Sequence, residues 1–374
     1  MTNIWFWQNM ISPHMAALAI ALARMGCRVT YVAAQEMSED RARLGWQVPQ
    51  LPGVDLRLAD SAIAMARLAN EAPGEAIHLV QGIRGNGLVG VAQAALARRS
   101  LQYWVMMESL NNAGLLGGAR QLLYRSVFYR NRRRLAGVLA IGRGTSDWVR
   151  ARGVLVAKIF PFAYFLEPAS SCSQTVAPKT ESTQSFTVLF AGQFIDRKRL
   201  DLLIDAMAAL PAQLARQSRL QVIGNGPLDI DLRAHAERCL GNRLQWAGRL
   251  YGELARQSMA AADCLVLPSR HDGWGAVVSE ALMAGTPVIC SDTCGASEAV
   301  LASGVGGVFR NGDIHGLVGL LSRQISLGPP KYAERLTLAN WARSLGSDEG
   351  ARYLLAILSH AEGKSGKPEP PWKE

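Results

Sequence analysis

The sequence predicts an α/β protein of two Rossmann-like domains, each a doubly wound parallel sheet with helices on both faces. Short apolar runs typical of strands alternate with longer helical patterns along the whole chain, as in proteins built on parallel sheets. The 374 residues suit two domains of about 150–200 residues each. Residues 168–185 are rich in Ser, Thr and Pro and interrupt the alternation, so they are predicted to be a linker.

The first domain is predicted to cover residues 1–167. Its strands are expected in NIWFW, CRVTYVA, IHLVQG, LQYWVMM and LAGVLAIG, and helices in PHMAALAIALARMG and GLVGVAQAALARR. Ser12 is placed to cap the first helix, with Pro13 at its first position and Gly26 after its end. The N-terminus lacks the basic start of a signal peptide, so it is interpreted as strand, loop and helix.

The second domain is predicted over residues 186–344. Its strands are expected in FTVLFAG, LQVIG, LQWAG, CLVLPS and PVICSD. In open parallel sheets, ligands bind where strands end and loops lead into helices, and we expect a cleft between the two domains. The final residues, GKSGKPEPPWKE, are predicted to fray.

Composition excludes some classes of protein. The chain is 49% apolar and 19% charged, which is typical of a globular protein. It has no run of about 18 apolar residues, so no membrane-spanning helix is expected. Six scattered cysteines without metal-ligand spacing predict reduced, mostly buried thiols in a cytoplasmic protein.

The net charge of +10 suggests an anionic partner. Basic residues concentrate in RQLLYRSVFYRNRRR, from Arg120 to Arg134. There Leu122, Leu123, Val127 and Phe128 are predicted to share one face of a helix among arginines, as in helices that lie on anionic membranes. A solvated arginine-rich face is the alternative. Nucleic-acid binding is not expected, because no reader motif appears.

The stretch HDGWGAVVSEALMAG, residues 271–285, is the most informative. A loop follows the strand CLVLPS and opens into an apolar helix. Gly273 and Gly275 let the backbone amides face an anion at the positive end of that helix. Glu280, about one turn into the helix, is placed to accept hydrogen bonds from sugar hydroxyls, and Asp272 from the other side of the loop.

A second loop, FAGQFIDRK, ends with Arg197 and Lys198 just before another helix. Its two cations and the amides of the first loop could neutralise a diphosphate between them. Two further glycine turns follow strands, Gly224-Asn225-Gly226-Pro227 and Gly248-Arg249-Leu250. Four such loops in one domain predict a binding site for a phosphate-bearing ligand.

These motifs resemble those of the retaining family 4 glycosyltransferases of GT-B fold. That family's pattern is a Gly-Arg loop ending in Lys-Gly, a Gly-x-Gly-Pro turn, a Gly-Arg-Leu turn, and an acid-x7-Glu motif followed by Gly-Thr-Pro-Val. Here the last motif runs from Asp272 to Glu280 and continues as Gly285-Thr286-Pro287-Val288. The resemblance is strong over residues 186–312 and extends to the first domain only in its alternation of elements.

The resemblance implies that Glu280 binds the ribose of a nucleotide-sugar donor and that Lys198 meets its diphosphate. Asp272 and the amides near Gly273–Gly275 would address the transferred sugar, and the backbone after Gly248 the base. The donor-binding residues expected on this basis are Gly192, Gln193, Arg197, Lys198, Gly224, Arg249, Leu250, Gly273, Trp274, Gly275 and Glu280.

Two residues depart from the family pattern. Gln193 stands where the family has Arg, which removes one cation from the diphosphate site. Asp272 stands where the family has Glu and is one methylene shorter, so the identity of the transferred sugar is open.

The chemistry of sugar transfer assigns catalytic roles. Negative charge develops on the departing diphosphate, and preorganised donors such as Lys198 and the helix start near Gly275 can stabilise it. No metal and no permanently bound cofactor are therefore expected. No protein nucleophile is assigned, and Asp272 is expected to address the sugar. His14 and Glu108, in the first domain, are the candidates for holding the acceptor or taking its proton.

The resemblance implies a retaining glycosyltransferase that moves a sugar from a UDP- or GDP-sugar to a lipid-linked or glycan acceptor. Its setting would be cell-surface polysaccharide or lipopolysaccharide synthesis, in the cytoplasm and peripherally on the inner face of the membrane. The family's arrangement also implies that the last helix, about residues 345–374, returns to the N-terminal domain.

Three alternatives stay open. The stretch Gly85–Gly90, GNGLVG, follows a predicted strand and precedes an acid at Glu108, so an NAD-dependent oxidoreductase is one. Another GT-B activity, such as a nucleotide-sugar epimerase or a phosphorylase, is the second. A non-catalytic scaffold is the third, suggested by Gln193 and Asp272.

Overall fold

The structure is a computed structural model that describes residues 1–39, 47–109, 117–167, 185–250 and 252–373. Contacts divide the chain into two units, residues 1–167 with 346–372, and residues 168–345. Each unit contains one parallel sheet, which confirms the predicted pair of Rossmann-like domains. The predicted linker lies outside the described residues except for Ser185.

The first unit has a seven-stranded sheet of order β3-β2-β1-β4-β5-β6-β7. Its strands are β1 Asn3–Met10, β2 Arg28–Gln35, β3 Asp55–Leu58, β4 Ile77–Gln81, β5 Tyr103–Glu108, β6 Leu135–Ile141 and β7 Ile159–Phe162. Its helices are α1 Pro13–Arg24, α2 Ala62–Glu71, α3 Val89–Arg98, α4 Gly117–Asn131 and α5 Thr145–Arg150.

The second unit has a six-stranded sheet of order β10-β9-β8-β11-β12-β13. The strands are β8 Phe186–Ala191, β9 Ser218–Ile223, β10 Leu244–Gly248, β11 Cys264–Leu267, β12 Val288–Ser291 and β13 Gly307–Phe309. The helices are α6 Leu200–Ala208, α7 Ala212–Arg216, α8 Asp229–Leu240, α9 Gly252–Ala261, α10 Ala276–Met283, α11 Ser297–Ala302, α12 Ile314–Leu327 and α13 Tyr332–Trp341. A final helix, α14 Ser347–Ala361, clusters with the first unit.

Both sheets reverse their strand order at one point. In the first sheet β1 lies beside β4, and in the second β8 lies beside β11. Because parallel crossovers are right-handed, the connections on either side of such a point cover opposite faces of the sheet. The loops that leave the two central strands therefore diverge and open a crevice at their carboxyl ends.

Local sequence signals set the start of the first unit. The Ser12 hydroxyl accepts a hydrogen bond from the amide of Met15 at 3.3 Å, and Pro13 occupies the first turn of α1. The predicted strand, loop and helix are confirmed. Cys27, Cys239, Cys264, Cys290 and Cys294 are free, and four of these five described thiols are buried, as predicted.

The end of the chain is not frayed, and that prediction was wrong. Trp372 is 2% exposed, and its ring centroid lies 6.2 Å from that of Phe165. The Lys367 ammonium donates to the carbonyls of Val156 and Ile159 at 3.0 and 2.9 Å. The proline-rich composition suggested a solvated tail, but one large aromatic side chain and one lysine fasten the segment to the first unit.

Replacing Trp372 by alanine is expected to lower the free energy of unfolding of the first unit by about 3 kcal/mol, because a buried aromatic ring is removed. Urea unfolding followed by circular dichroism measures the change. The matched control is Lys364→Ala, at a position exposed to solvent. A Trp372→Ala variant as stable as the control would contradict the packing of the tail.

The arginine-rich helix α4 also differs from the prediction. Tyr124 and Phe128 are buried in the core of the first unit, whereas Leu122 is 68% exposed and Leu123 is 40% exposed. Leu122, Leu123, Val127 and Phe128 therefore do not share one face, because Phe128 points inward. Of the helices described, none is long and apolar enough to cross a membrane.

Candidate functional site

Two loops flank the point where strand order reverses in the second sheet. The loop after β8 leads through a single turn of 3-10 helix, Asp196–Lys198, into α6. The loop after β11 leads into α10, beginning with Gly275 as its cap. The two loops are joined by a hydrogen bond from the amide of Arg270 to the carbonyl of Arg197 at 2.8 Å. Sheet topology therefore brings together two motifs that lie far apart in sequence.

An ion pair between Lys198 and Asp272 lies between these loops. The Lys198 ammonium donates to a carboxylate oxygen of Asp272, and the two side chains are 12% and 13% exposed. Arg197 lies 3.7 Å from the other oxygen of Asp272 and donates to the carbonyl of His271 at 2.6 Å. Two cations thus face one carboxylate, which leaves a surplus of one positive charge for an anionic ligand.

Neighbouring backbone holds the Asp272 loop in place. The Asp272 amide donates to the carbonyl of Thr293 at 3.2 Å, and the Gly295 amide donates to the carbonyl of Asp272 at 2.9 Å. The Ser269 hydroxyl approaches the Asp272 carboxylate at 3.4 Å. Sequence reasoning missed Ser269, Thr293 and Gly295. The position of Gly295, three residues after the predicted strand PVICSD, was the one sequence signal for this contact.

Trp274 and Gly275 shape the start of α10. The Trp274 side chain is 1% exposed, and its indole nitrogen donates to the Ser279 hydroxyl at 2.9 Å. Gly275 has φ +87°, and a Cβ atom there would lie 2.8 Å from the sulfur of Cys294. The Trp274 ring therefore packs inward and anchors the loop, while the first amides of the helix need partners from outside the helix.

Glu280 lies about one turn into α10 and is half-buried. Burial raises the pKa of its carboxyl, and the positive charge of Arg256 opposes the rise. In the part of the chain that the structure describes, no hydrogen-bond donor lies against this carboxylate. A half-buried acceptor without a protein donor is suited to bind hydroxyl groups of a ligand.

The glycine turns after β8, β9 and β10 lie against one another. The Gly192 amide donates to the carbonyl of Ile223 at 3.0 Å, and the Gly224 amide donates to the carbonyl of Gly248 at 2.8 Å. Gly224 has φ +144°, and a Cβ atom there would lie 1.8 Å from the Gly192 carbonyl oxygen. Gly224 is therefore required for the packing of the loops.

Gly224→Ala is expected to lower the free energy of unfolding of the second unit by about 3 kcal/mol, because the substitution adds backbone strain and a steric clash. Chemical unfolding monitored by tryptophan fluorescence measures the loss. Gly304→Ala is the matched control, since Gly304 has φ +70° but no atom lies within 4 Å of the position that its Cβ would take. Equal stabilities of the two variants would show that the contact between the loops after β8 and β9 does not require glycine at position 224.

The other predicted site residues divide between the two units. Gln193 follows β8, and Arg249 and Leu250 follow β10, all three half-buried at the carboxyl edge of the second sheet. His14 and Glu108 belong to the first unit. The His14 ring stacks on Tyr164 with ring centroids 5.0 Å apart, and Glu108 is the last residue of β5.

Side-chain hydrogen bonds of Asn86 hold the glycine-rich loop Gly85–Gly90 in place. The Asn86 amide donates to the Gln81 carbonyl at 3.0 Å and to the Gln93 side chain at 2.7 Å. A Cβ atom at Gly87 would lie 2.8 Å from the Asn9 side chain. Gly87 is thus needed to pack this loop against β1, which gives it a structural role independent of any dinucleotide.

Comparison with known proteins finds similarity to glycosyltransferases over part of the chain. Residues 174–339 match the family model of glycosyl transferases group 1. Lipopolysaccharide 1,6-galactosyltransferase of Escherichia coli (strain K12) is 28% identical over 194 residues, which cover 50% of this chain and 52% of that protein. D-inositol 3-phosphate glycosyltransferase of Jonesia denitrificans is 31% identical over 179 residues, 46% of this chain and 42% of that protein. The chain spans about half the length of these curated relatives.

Solved structures share the fold along nearly the whole chain. Anabaena Alr3699/HepE in complex with UDP has a TM-score of 0.70 at 17% identity, covering 96% of this chain and 100% of that chain. The apo form of the lipopolysaccharide outer core galactosyltransferase WaaB has a TM-score of 0.69 at 16% identity, covering 95% and 99%. The predicted GT-B fold class is confirmed by these likenesses.

Proposed function

We propose that this chain, whose residues 174–339 match the glycosyl transferases group 1 family, is a retaining family 4 glycosyltransferase whose second unit binds a nucleotide-sugar donor. The observation that carries the proposal is the carboxyl edge of the second sheet at β8 and β11. There lie the Lys198 ammonium, the start of α10 capped by Gly275 and the Glu280 carboxylate, to which no described residue donates a hydrogen bond. The ammonium and the helix start are suited to bind a diphosphate, and the carboxylate is suited to bind sugar hydroxyl groups beside it.

The residues divide the chemistry of transfer between them. The bond between the anomeric carbon and the diphosphate oxygen breaks, and the oxygen leaves with the electron pair. Lys198 and the amides at the start of α10 stabilise the developing negative charge. When the donor binds, the Lys198 ammonium turns from Asp272 to the diphosphate. The Asp272 carboxylate then accepts a hydrogen bond from a hydroxyl group of the transferred sugar. The acceptor oxygen then forms the new bond on the same face of the sugar and loses its proton.

Lys198 and the helix start supply the positive charge that a metal ion supplies in other transferases, so the proposed reaction uses no metal. Arg197 is the candidate to replace the cation lost at Gln193, because it lies beside Asp272 at 3.7 Å. His14 and Glu108 remain the candidates for contact with the acceptor and for taking its proton.

UDP-sugars are the donors we favour, and GDP-sugars are the alternative. The HepE structure with UDP has the same fold, which supports a uridine nucleotide. The names of the lipopolysaccharide galactosyltransferases support an acceptor that is a glycan or lipid-linked glycan of the cell surface. The enzyme would act in the cytoplasm, at the inner face of the membrane.

A membrane-facing role for α4 follows from its exposed side chains. Leu122 is 68% exposed and Tyr129 is 64% exposed, and they lie among arginines of the segment from Arg120 to Arg134. The Arg132 guanidinium stacks 3.9 Å from the centroid of the Tyr129 ring. Apolar side chains within a basic surface are suited to the headgroup region of anionic lipid.

Binding to anionic vesicles at low salt is expected, and neutralising Arg132, Arg133 and Arg134 to glutamine is expected to weaken it about tenfold or more, since each basic residue contributes about 1 kcal/mol. Co-sedimentation with phosphatidylglycerol vesicles measures this, with phosphatidylcholine vesicles and the variant Arg238→Gln as controls. Unchanged binding by the triple variant would contradict the assignment of the surface.

The transfer activity is tested by incubating the protein with UDP-glucose or UDP-galactose and following UDP release and the anomeric proton by NMR. UDP release with retained anomeric configuration, abolished in Glu280→Gln, supports the proposal. Interconversion of the sugar nucleotides without UDP release would indicate an epimerase. Dependence of sugar release on inorganic phosphate would indicate a phosphorylase, and a protein that turns over none of the donors would indicate a scaffold.

A further inference from the structure

A cluster of metal-ligating side chains lies on the helices of the second unit, outside the proposed donor site. Asp205 is on α6, and His235 and Cys239 are on α8. His235 and Cys239 are four residues apart and therefore project from the same face of the helix. One ligand atom from each of the three residues lies within 4.8 Å of the other two.

Hydrogen bonding fixes the orientation of the imidazole ring. Nε2 of His235 lies 2.7 Å from a carboxylate oxygen of Asp205, and Nδ1 lies 3.7 Å from the sulfur of Cys239. A carboxylate accepts, so Nε2 carries the hydrogen. The lone pair is then on Nδ1, and it faces the sulfur.

This geometry is close to that of a zinc site. Zinc bonds nitrogen at about 2.0–2.1 Å and thiolate sulfur at about 2.3 Å, so a tetrahedral site separates the two ligand atoms by about 3.6 Å. The observed separation of Nδ1 and sulfur is 3.7 Å. A carboxylate that accepts from the second ring nitrogen is the usual support of a histidine that binds metal.

Solvent reaches the cluster. The His235 side chain is 31% exposed and the Asp205 side chain is 47% exposed, while Cys239 is half-buried. An ion can therefore enter without unfolding, and water can complete its coordination. Among the groups described, no other set of three histidine, cysteine or acidic residues meets the same distance criterion.

We propose that Asp205, His235 and Cys239 form a site for a thiolate- and imidazole-binding divalent metal ion, with zinc as the fitting ion. Nδ1 of His235 and the sulfur of Cys239 bind the ion directly, Asp205 holds the imidazole through Nε2, and water completes the coordination. Cys239 binds as a thiolate and releases its proton to solvent. Bound zinc fixes the His235 ring on α8, and the hydrogen bond from that ring to Asp205 links α8 to α6.

The site is separate from the proposed chemistry of transfer. Asp205 lies in the second turn of α6, whereas Lys198 lies in the 3-10 turn that precedes this helix, and none of the three residues contributes to the contacts of the Asp272 loop described above. The role is therefore structural, and its failure would leave the proposed donor site untouched.

Zinc binding by the full chain tests the proposal. Metal is removed with a chelator, and zinc is then titrated in competition with a chromophoric chelator. We expect one zinc per chain, and at a hundredfold excess over Kd an increase in Tm of roughly 5–10 °C. His235→Ala and Cys239→Ser are each expected to weaken binding at least about tenfold, and Asp205→Asn by a similar factor.

Controls separate this site from other thiols and imidazoles. His315→Ala, at an exposed position, and Cys172→Ser are expected to bind zinc as the unaltered chain does. Cobalt provides a second readout, since thiolate ligation gives a charge-transfer absorption that Cys239→Ser abolishes. Circular dichroism verifies that each variant is folded. Equal zinc affinity of His235→Ala or Cys239→Ser and the unaltered chain, or cobalt binding without the thiolate absorption, would overturn the proposal.

Discussion

Replacing Lys198 by alanine is expected to lower kcat for sugar transfer about 10²–10³-fold, because one preorganised donor to the developing oxyanion is lost. The ammonium is held beside Asp272 in a pocket where its side chain is 12% exposed. A charge in such a site is screened less than on the open surface. Binding of UDP is expected to weaken as well, since Lys198 would meet the diphosphate in the ground state.

Initial rates of UDP release across a range of donor concentrations give kcat and KM for the variant. Lys331→Ala is the control, because Lys331 is an exposed lysine of the same unit and is expected to leave both constants unchanged. Lys198→Arg keeps the charge and is expected to retain more activity than Lys198→Ala. A Lys198→Ala variant with kcat within about twofold of that of the unaltered chain would show that Lys198 does not stabilise the departing diphosphate.

Replacing Arg335 by alanine is expected to lower the free energy of unfolding of the second unit by about 3–5 kcal/mol, because the buried Asp263 carboxylate loses its cationic partner. The Arg335 guanidinium lies 3.1 Å from Asp263, and the two side chains are 4% and 2% exposed. The same guanidinium donates to the carbonyl of Ala262 at 2.6 Å and to the Thr286 hydroxyl at 3.2 Å. Burial lowers the pKa of Arg335, and the charge of Asp263 opposes that shift.

Urea unfolding of the variants measures this loss. Arg238→Ala, at an exposed arginine of the same unit, is expected to change the stability by less than about 0.5 kcal/mol. The double variant Arg335→Met with Asp263→Leu is expected to recover much of the loss, since paired replacement leaves no isolated charge. An Arg335→Ala variant that is less than about 1 kcal/mol destabilised would show that the pair does not hold α13 on the sheet.

Strand–loop–helix order was enough to predict the sheets, and it indicates the edge at which we propose that a ligand binds. Lys198, Gly275 and Glu280 were placed from their position after strands, because parallel sheets gather the carboxyl ends of all their strands at one edge. The function of individual side chains was harder to predict. Trp274 lies in the loop proposed to bind the donor, but its ring is buried, and only the packing around Ser279 shows this.

Long-range packing explains the features that sequence patterns missed. Trp372 lies in a segment of prolines, glycines and lysines, and its burial depends on Phe165, which is distant in sequence. In α4, the burial of Phe128 and the exposure of Leu122 depend on which side of the helix meets the core. The pairing of Asp205 with His235 requires two helices to be adjacent, whereas the sequence reveals only the four-residue spacing of His235 and Cys239.

The most direct test of the central claim is a thermal-shift measurement with UDP, GDP, ADP, NAD and nucleotide sugars on the unaltered chain and on Glu280→Ala. A ligand that binds the folded chain alone raises its Tm. We expect UDP or a UDP-sugar to raise Tm and Glu280→Ala to lose this increase. An increase with NAD alone that persists in Glu280→Ala would overturn the proposed donor site and place the ligand at Gly85–Gly90.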